Sequence, residues 1–193
     1  MLDKACQVGR HPTREHQLDC YDTPPCAVRA LLKVERLPHD IWEPAAGVGN
    51  IVRELQMAGH SVMASDITAC GGETLTIDFL NPDVAANSPC IVSNPPYRLA
   101  EEFIVRALDR APLVIMLLRL AFLEGGTRSK TRALLLDGGW LARVHVFANR
   151  LPMMHRRDWS GKRASSAVPF AWFVWSWQHR GKTMIDRIFW EKA

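Results

Sequence analysis

The tetrapeptide Asn94-Pro95-Pro96-Tyr97 holds the residues of this sequence best suited to do chemistry. An amino group on an aromatic ring or a carboxamide is a poor nucleophile, because its lone pair is delocalised. Two acceptors drawing on its two hydrogens favour a more pyramidal, more reactive nitrogen. Asn94 offers a side-chain carbonyl for this purpose and Pro95 a backbone carbonyl. Paired prolines stiffen the segment, so the acceptors are in place before a substrate arrives. Tyr97 adds a ring on which a flipped-out base can stack, worth about 1–3 kcal/mol by analogy with single-strand binders. Asn94, Pro95, Pro96 and Tyr97 are therefore the expected catalytic residues, with Tyr97 also touching substrate.

A second segment, Glu43-Pro44-Ala45-Ala46-Gly47-Val48-Gly49, ends 45 residues before Asn94. Its small residues let the backbone turn tightly and let a ligand approach it. The helix start at Asn50 presents free N–H groups. Neither GxGxxG nor GxxxxGK[ST] is present, so the loop is not a standard phosphate cradle. A carboxylate just before the turn repels phosphate and suits a cation; S-adenosylmethionine carries both an ammonium and a sulfonium. Asp66 stands 17 residues beyond Gly49, about where doubly wound folds hold ribose hydroxyls. At Asp78-Phe79 an acid can accept from an adenine amino group while a phenyl ring covers the base. Sulfonium is a good leaving group, so alignment can be most of the catalysis and no covalent intermediate is required.

Strand-length apolar runs alternate with helical stretches, which predicts an α/β fold with a mostly parallel sheet and helices on both faces. Helices are expected over 26–36 (Thr23 a candidate N-cap, Pro24-Pro25 in the first turn), 50–58, 98–110 and 128–137. Strands are expected from Ile41, over Ser61–Ser65, weakly at Leu75–Ile77, and over Cys90–Ser93 and Leu113–Leu118. Trp140–Phe147 and Ala167–Trp177 read as the last two, with 181–190 able to add a short one. Residues 148–166 read as a loop. Trp172, Trp175 and Trp177 are read as alternating along the last strand and packing core or sheet face. Cys90, despite Pro89 before it, is read as core. No repeat or linker stands out, so a single domain over 1–193 is expected, with extensions at 1–20 and 178–193.

The loop Glu43–Gly49 followed by Asn94-Pro95-Pro96-Tyr97 resembles the amino-methyltransferases of DNA, and is similar to the compact adenine methyltransferases of phages and prophages. The resemblance covers roughly residues 21–177. It implies a Rossmann-like seven-stranded sheet with an antiparallel last strand, S-adenosylmethionine as cofactor and N6-methyladenine as product. Tyr21-Asp22-Thr23-Pro24-Pro25 resembles the segment that helps bind the methionine end, so Tyr21 would touch the cofactor, Thr23 and Pro24 would border the carboxylate and Glu43 the ammonium. The loop residues Pro44, Ala45, Gly47 and Gly49 would line the cofactor, as would Asn94; Asp66 with Ile67 would hold the ribose, and Asp78 with Phe79 the adenine ring. Enzymes methylating guanine in ribosomal RNA or glutamine in release factors use the same tetrapeptide, so RNA and protein substrates stay open. The Glu-Pro-Ala-Ala-Gly loop favours DNA adenine.

Charge is uneven along the chain. Residues 1–139 carry 14 Lys/Arg against 17 Asp/Glu, and residues 140–193 carry 10 against 3, a change from −3 to +7. A basic third of this kind attracts a polyanion such as nucleic acid. Arg119, Arg128, Lys130 and Arg132 flank Glu124-Gly125-Gly126 after the strand next to the catalytic one and are expected to touch phosphates. Arg150, Arg156, Arg157 and Trp159 resemble the segment that forms the base pocket in these enzymes. No long insertion supplies target recognition, so either little sequence is read or an accessory protein reads it. Five cysteines without a CxxC pair suit free thiols in a reducing cytoplasm. The Cys and His residues near the start fit no zinc spacing, so no metal is expected. No apolar run approaches the ~20 residues of a membrane span, and the first residues show no signal peptide. Monomer and dimer both remain open.

Overall fold

The computed structural model describes residues 22–68, 73–124, 129–153 and 168–191. The first helix, α1 (Pro25–Leu32), begins with Pro25 at its first turn, where a missing N–H is harmless. Its N-cap is Pro24 in extended backbone, not Thr23, and the helix stops four residues before the expected 36. After it come β1 (Asp40–Glu43), α2 (Asn50–Met57), β2 (Ser61–Asp66), β3 (Leu75–Thr76) and β4 (Cys90–Ser93). A 3₁₀ turn at Tyr97–Leu99 leads into α3 (Ala100–Leu108), then β5 (Leu113–Arg119), a second 3₁₀ turn (Leu120–Leu123) and α4 (Lys130–Asp137). The last elements are β6 (Leu141–Phe147), β7 (Phe170–Ser176) and β8 (Met184–Ile188).

One eight-stranded sheet runs β3-β2-β1-β4-β5-β7-β6-β8. Only β7 is antiparallel to its neighbours, lying between β5 and β6. The resemblance implied seven strands; the eighth is β8, an edge strand added parallel to β6. The chain crosses from β1 outward to β2 and β3, then returns to pair β4 with β1 through Trp42 opposite Ile91. That reversal is the topological switch point, beyond which open α/β sheets bind ligands.

The sheet is covered on both faces. On one, Leu31 of α1 and Ile51 and Leu55 of α2 pack over Val92, Ile115, Leu117 and Trp172. On the other, Phe103 and Ile104 of α3 pack over Trp42, Val114, Met116, Phe173 and Trp175. Being buried on both sides, β5 reads as an unbroken apolar run rather than an alternation. The tryptophans do not alternate as expected. Trp172 and Trp175 are three residues apart and so face opposite cores, while Trp177 lies beyond the strand and donates to the Leu108 carbonyl at 3.0 Å. Cys90 is fully buried, and burial pushes its thiol up to about 12.

Where α1 ends early, Glu35 turns under the sheet. It is nearly buried and accepts from His145 Nε2 at 2.7 Å and from Arg143 Nη2 at 2.9 Å, both on β6. Burial raises the Glu35 carboxyl, but these partners outweigh it and hold the group below its ordinary value. No helix among the described residues is long and apolar enough to cross a membrane.

Candidate active site

The loop after β1 is held by bonds from several directions. Ala46 N–H donates to the Ser65 carbonyl at 2.9 Å, and Gly47 N–H to Asp66 Oδ2 at 2.9 Å, so both tie the loop to the end of β2. Gly49 is the N-cap of α2 with φ +78°, a left-handed conformation that disfavours a side chain. Asn50 then donates to the Thr23 carbonyl at 2.9 Å, bringing the segment before α1 against the loop. A cavity of about 280 Å³ opens over these elements.

Most of the expected cofactor residues converge on this cavity. Thr23, Pro44, Ala45, Gly47, Asp66, Ile67, Asp78, Phe79 and Asn94 all line it. Pro24 and Gly49 do not; each is a helix N-cap. Tyr21 lies outside the described residues. Phe79 is almost wholly buried, edge-on to Trp42 at 5.0 Å and tilted against Phe103 at 5.1 Å. It forms a wall of the cavity rather than a free platform. Four lining residues escaped the sequence reading: Ile51, Leu80, Leu99 and Phe103; Asp22, Ala46, Val48 and Asn50 also line the cavity and belong to the segments read as its borders. Leu99 and Phe103 were findable, being four apart at the start of the helix that follows the tetrapeptide.

Glu43 is fully buried and is not part of the cavity lining. Its Oε1 accepts from Ala45 N–H at 3.2 Å and from the Ser93 hydroxyl at 2.6 Å. Its Oε2 has no hydrogen-bond partner among the described residues. Burial pushes this carboxyl up to about 8, against the lowering effect of Ser93 and Ala45.

The tetrapeptide Asn94-Pro95-Pro96-Tyr97 leaves the end of the fully buried β4 beside β1. Asn94 and Pro96 line the cavity, and Leu99 N–H donates to the Pro96 carbonyl at 2.9 Å to close the 3₁₀ turn. Tyr97 does not face open space. The Arg119 guanidinium lies over its ring at 4.8 Å, and Phe170 packs against it at 5.8 Å. Arg119 and Phe170 are directly opposite each other on β5 and β7, so they share the sheet face that meets Tyr97.

The other basic candidates are less defined. Lys130 is exposed at the first turn of α4, and Arg150 is exposed just after β6. Arg128, Arg156, Arg157 and Trp159 lie outside the described residues. Arg132, beside them in sequence, is committed to Glu101, with Nε to Oε1 at 2.9 Å.

No family model and no curated protein matches the sequence. Solved structures do match, at the level of the fold. A Pyrococcus horikoshii protein proposed to be an RNA methyltransferase superposes with a TM-score of 0.61 at 12% identity, over 82% of this chain and 87% of that one. A methyltransferase subunit of a type I restriction-modification system from Streptococcus thermophilus gives a TM-score of 0.63 at 11% identity, over 86% of this chain and 46% of that one. A Listeria monocytogenes protein proposed as a class I S-adenosylmethionine-dependent methyltransferase gives 0.59 at 13% identity, over 86% of this chain and 65% of that one. The chain thus has the fold of these proteins and spans under half the length of the restriction-modification subunit.

Proposed function

We propose that this chain is an S-adenosylmethionine-dependent methyltransferase acting on an exocyclic amino nitrogen, with adenine in DNA as its substrate and N6-methyladenine as its product. The observation that carries this reading is the meeting of two segments. The loop after β1 and Asn94-Pro95-Pro96-Tyr97 after β4 lie on neighbouring strands, and both contribute to one cavity at the switch point.

The residues present fit the cofactor. Glu43 keeps a buried carboxyl oxygen without a hydrogen-bond partner among the described residues, beside the loop that lines the cavity, and once ionised it would suit an ammonium. Asp66 and Asp78 line the same cavity, where they would meet the ribose and the adenine, and its walls include Ile67, Phe79, Leu80 and Leu99. When bound, S-adenosylmethionine supplies an electrophilic methyl group on a sulfonium. The chain's own part is to orient and to accept. The Asn94 side-chain carbonyl and the Pro95 backbone carbonyl would draw on the two amino hydrogens, and the prolines hold both acceptors still. Tyr97 would stack the base, and Arg119 beside it would meet the phosphate backbone. Pro44, Ala45, Gly47 and Gly49 shape the loop, Pro24 caps the helix before it, and Lys130 and Arg150 extend the basic surface. The same reading expects an accessory protein, or weak sequence preference, in target recognition.

Incubation with methyl-labelled S-adenosylmethionine and unmethylated DNA, followed by digestion to nucleosides, tests this. Label in N6-methyladenine is the expected result. Label absent from DNA and present in RNA nucleosides would replace the substrate and keep the chemistry. RNA is the second reading because the fold neighbour whose length this chain nearly spans is the one proposed to act on RNA.

A further inference from the structure

Arg106 lies on α3, three residues beyond Phe103 and hence on the same side of the helix. Its neighbours Ile104 and Ala107 are fully buried against the sheet, so its backbone is firmly seated. The guanidinium reaches away from the core to the segment after Asp78. There Nε donates to the Phe79 carbonyl at 3.3 Å, and Nη2 to the carbonyls of Asn81 at 2.7 Å, Pro82 at 3.2 Å and Val84 at 2.9 Å. This segment belongs to no strand, so its carbonyls lack the donors that a ladder would supply. Nη2 has two hydrogens for three carbonyls, so one hydrogen is shared between two acceptors, an arrangement that the fixed fork of a guanidinium allows. Asp78 is shaped by the same turn, with its Oδ1 accepting from Leu80 N–H at 3.0 Å.

We propose that Arg106 is the positioning residue of the nucleobase end of the cofactor cavity. By gathering the carbonyls of residues 79–84 it sets where Asp78, Phe79 and Leu80 stand, and so confers preference for an adenine over a base lacking the amino group. Asp78 accepts from an adenine amino group and opposes the carbonyl that an inosine presents at the same place. The inference rests on the S-adenosylmethionine reading given above. It extends that reading to a residue outside the cavity lining, on the helix that follows the catalytic tetrapeptide.

The test is the affinity ratio between S-adenosylhomocysteine and S-inosylhomocysteine, measured calorimetrically on wild type, Arg106→Met and Arg106→Lys, with circular dichroism to verify the fold. Wild type is expected to favour the adenosyl ligand by about tenfold or more, as for a hydrogen bond to a charged acceptor. In R106M the ratio falls towards one and KM for the cofactor rises about tenfold, with kcat at saturating cofactor retained. R106K, which keeps donors at a single point, lies between. R106M with the wild-type ratio overturns the proposal. So does an equal weakening of both ligands, which marks general loosening. If R106M does not fold, an unchanged ratio in R106K overturns it as well. No binding of either ligand by wild type would overturn the cofactor reading itself, an outcome distinct from the others.

Discussion

The Ser93 hydroxyl donates to Glu43 Oε1 at 2.6 Å, across 50 residues of sequence and between the adjoining ends of β4 and β1. Ser93 immediately precedes Asn94, and Glu43 opens the loop whose Ala45 N–H shares the same oxygen. The bond therefore joins the tetrapeptide to the proposed cofactor loop inside the core, where both partners are fully buried. It also leaves Oε2 as the carboxyl oxygen without a partner among the described residues.

Cofactor binding should release a proton at neutral pH. With its carboxyl pushed up to about 8, Glu43 is mostly neutral at pH 7 in the free protein. An ammonium beside it favours the ionised form, so affinity rises with pH towards about 8 and then levels, by up to tenfold per unit. Calorimetry at pH 7 in buffers of different ionisation enthalpy reads the proton directly; a buffer-independent enthalpy would refute the linkage. Glu43→Gln should abolish the pH dependence and weaken binding.

The same group governs stability against pH. Its folded value lies above its ordinary 4.5, so the favourable contribution is complete below 4.5 and is lost as pH rises to about 8. The loss is up to about 1.4 kcal/mol per pH unit in that window. Urea unfolding of wild type and E43Q at pH 5 and pH 8 should show wild type losing more stability than the variant over that interval. Parallel behaviour of the two proteins would count against a buried neutral Glu43.

Asn94→Ala should reduce methyl transfer by about 10²–10³-fold, the scale of losing one preorganised acceptor or donor. Affinity for S-adenosylhomocysteine should change little. A single-turnover assay at saturating cofactor separates the two, and a variant with full turnover would remove Asn94 from the mechanism.

Arg119 and Tyr97 should fail in different ways. Because the guanidinium rests on the ring at 4.8 Å, a base stacking there must share or displace it. Tyr97→Ala should weaken binding by about 1–3 kcal/mol and diminish the 2-aminopurine signal of an unstacked target base. Arg119→Ala should instead lower the salt dependence of nucleic-acid affinity by about one phosphate contact. An unchanged salt slope would confine Arg119 to packing on Tyr97.

Glu35→Ala should destabilise the fold by about 2–4 kcal/mol, because it strands the buried His145 and removes the carboxylate from Arg143. Cofactor affinity measured well below the unfolding midpoint should stay near wild type. A drop in affinity equal to that of a cavity-lining variant would show that the cluster acts on the site.

The order of chemical groups along the chain was legible from the sequence alone. Pro-Pro after an apolar run stops a strand, glycines after a carboxylate turn the chain, and Leu113–Leu118 is apolar without alternation because both faces are covered. These signals are local, so the positions of Glu43, Asp66 and Asn94 at strand ends could be read directly. A separation of three positions between Trp172 and Trp175 also implies opposite faces, and there the reading as an alternation was wrong. What only the tertiary structure decided was which atoms meet. Ser93 occupies one oxygen of Glu43, Gly47 N–H occupies one oxygen of Asp66, Arg119 covers Tyr97, and Arg106 holds four carbonyls. Each of these contacts joins segments 19 or more residues apart. Several end on backbone N–H or carbonyl groups, which nearly every residue carries alike, so no residue type in the sequence marks them.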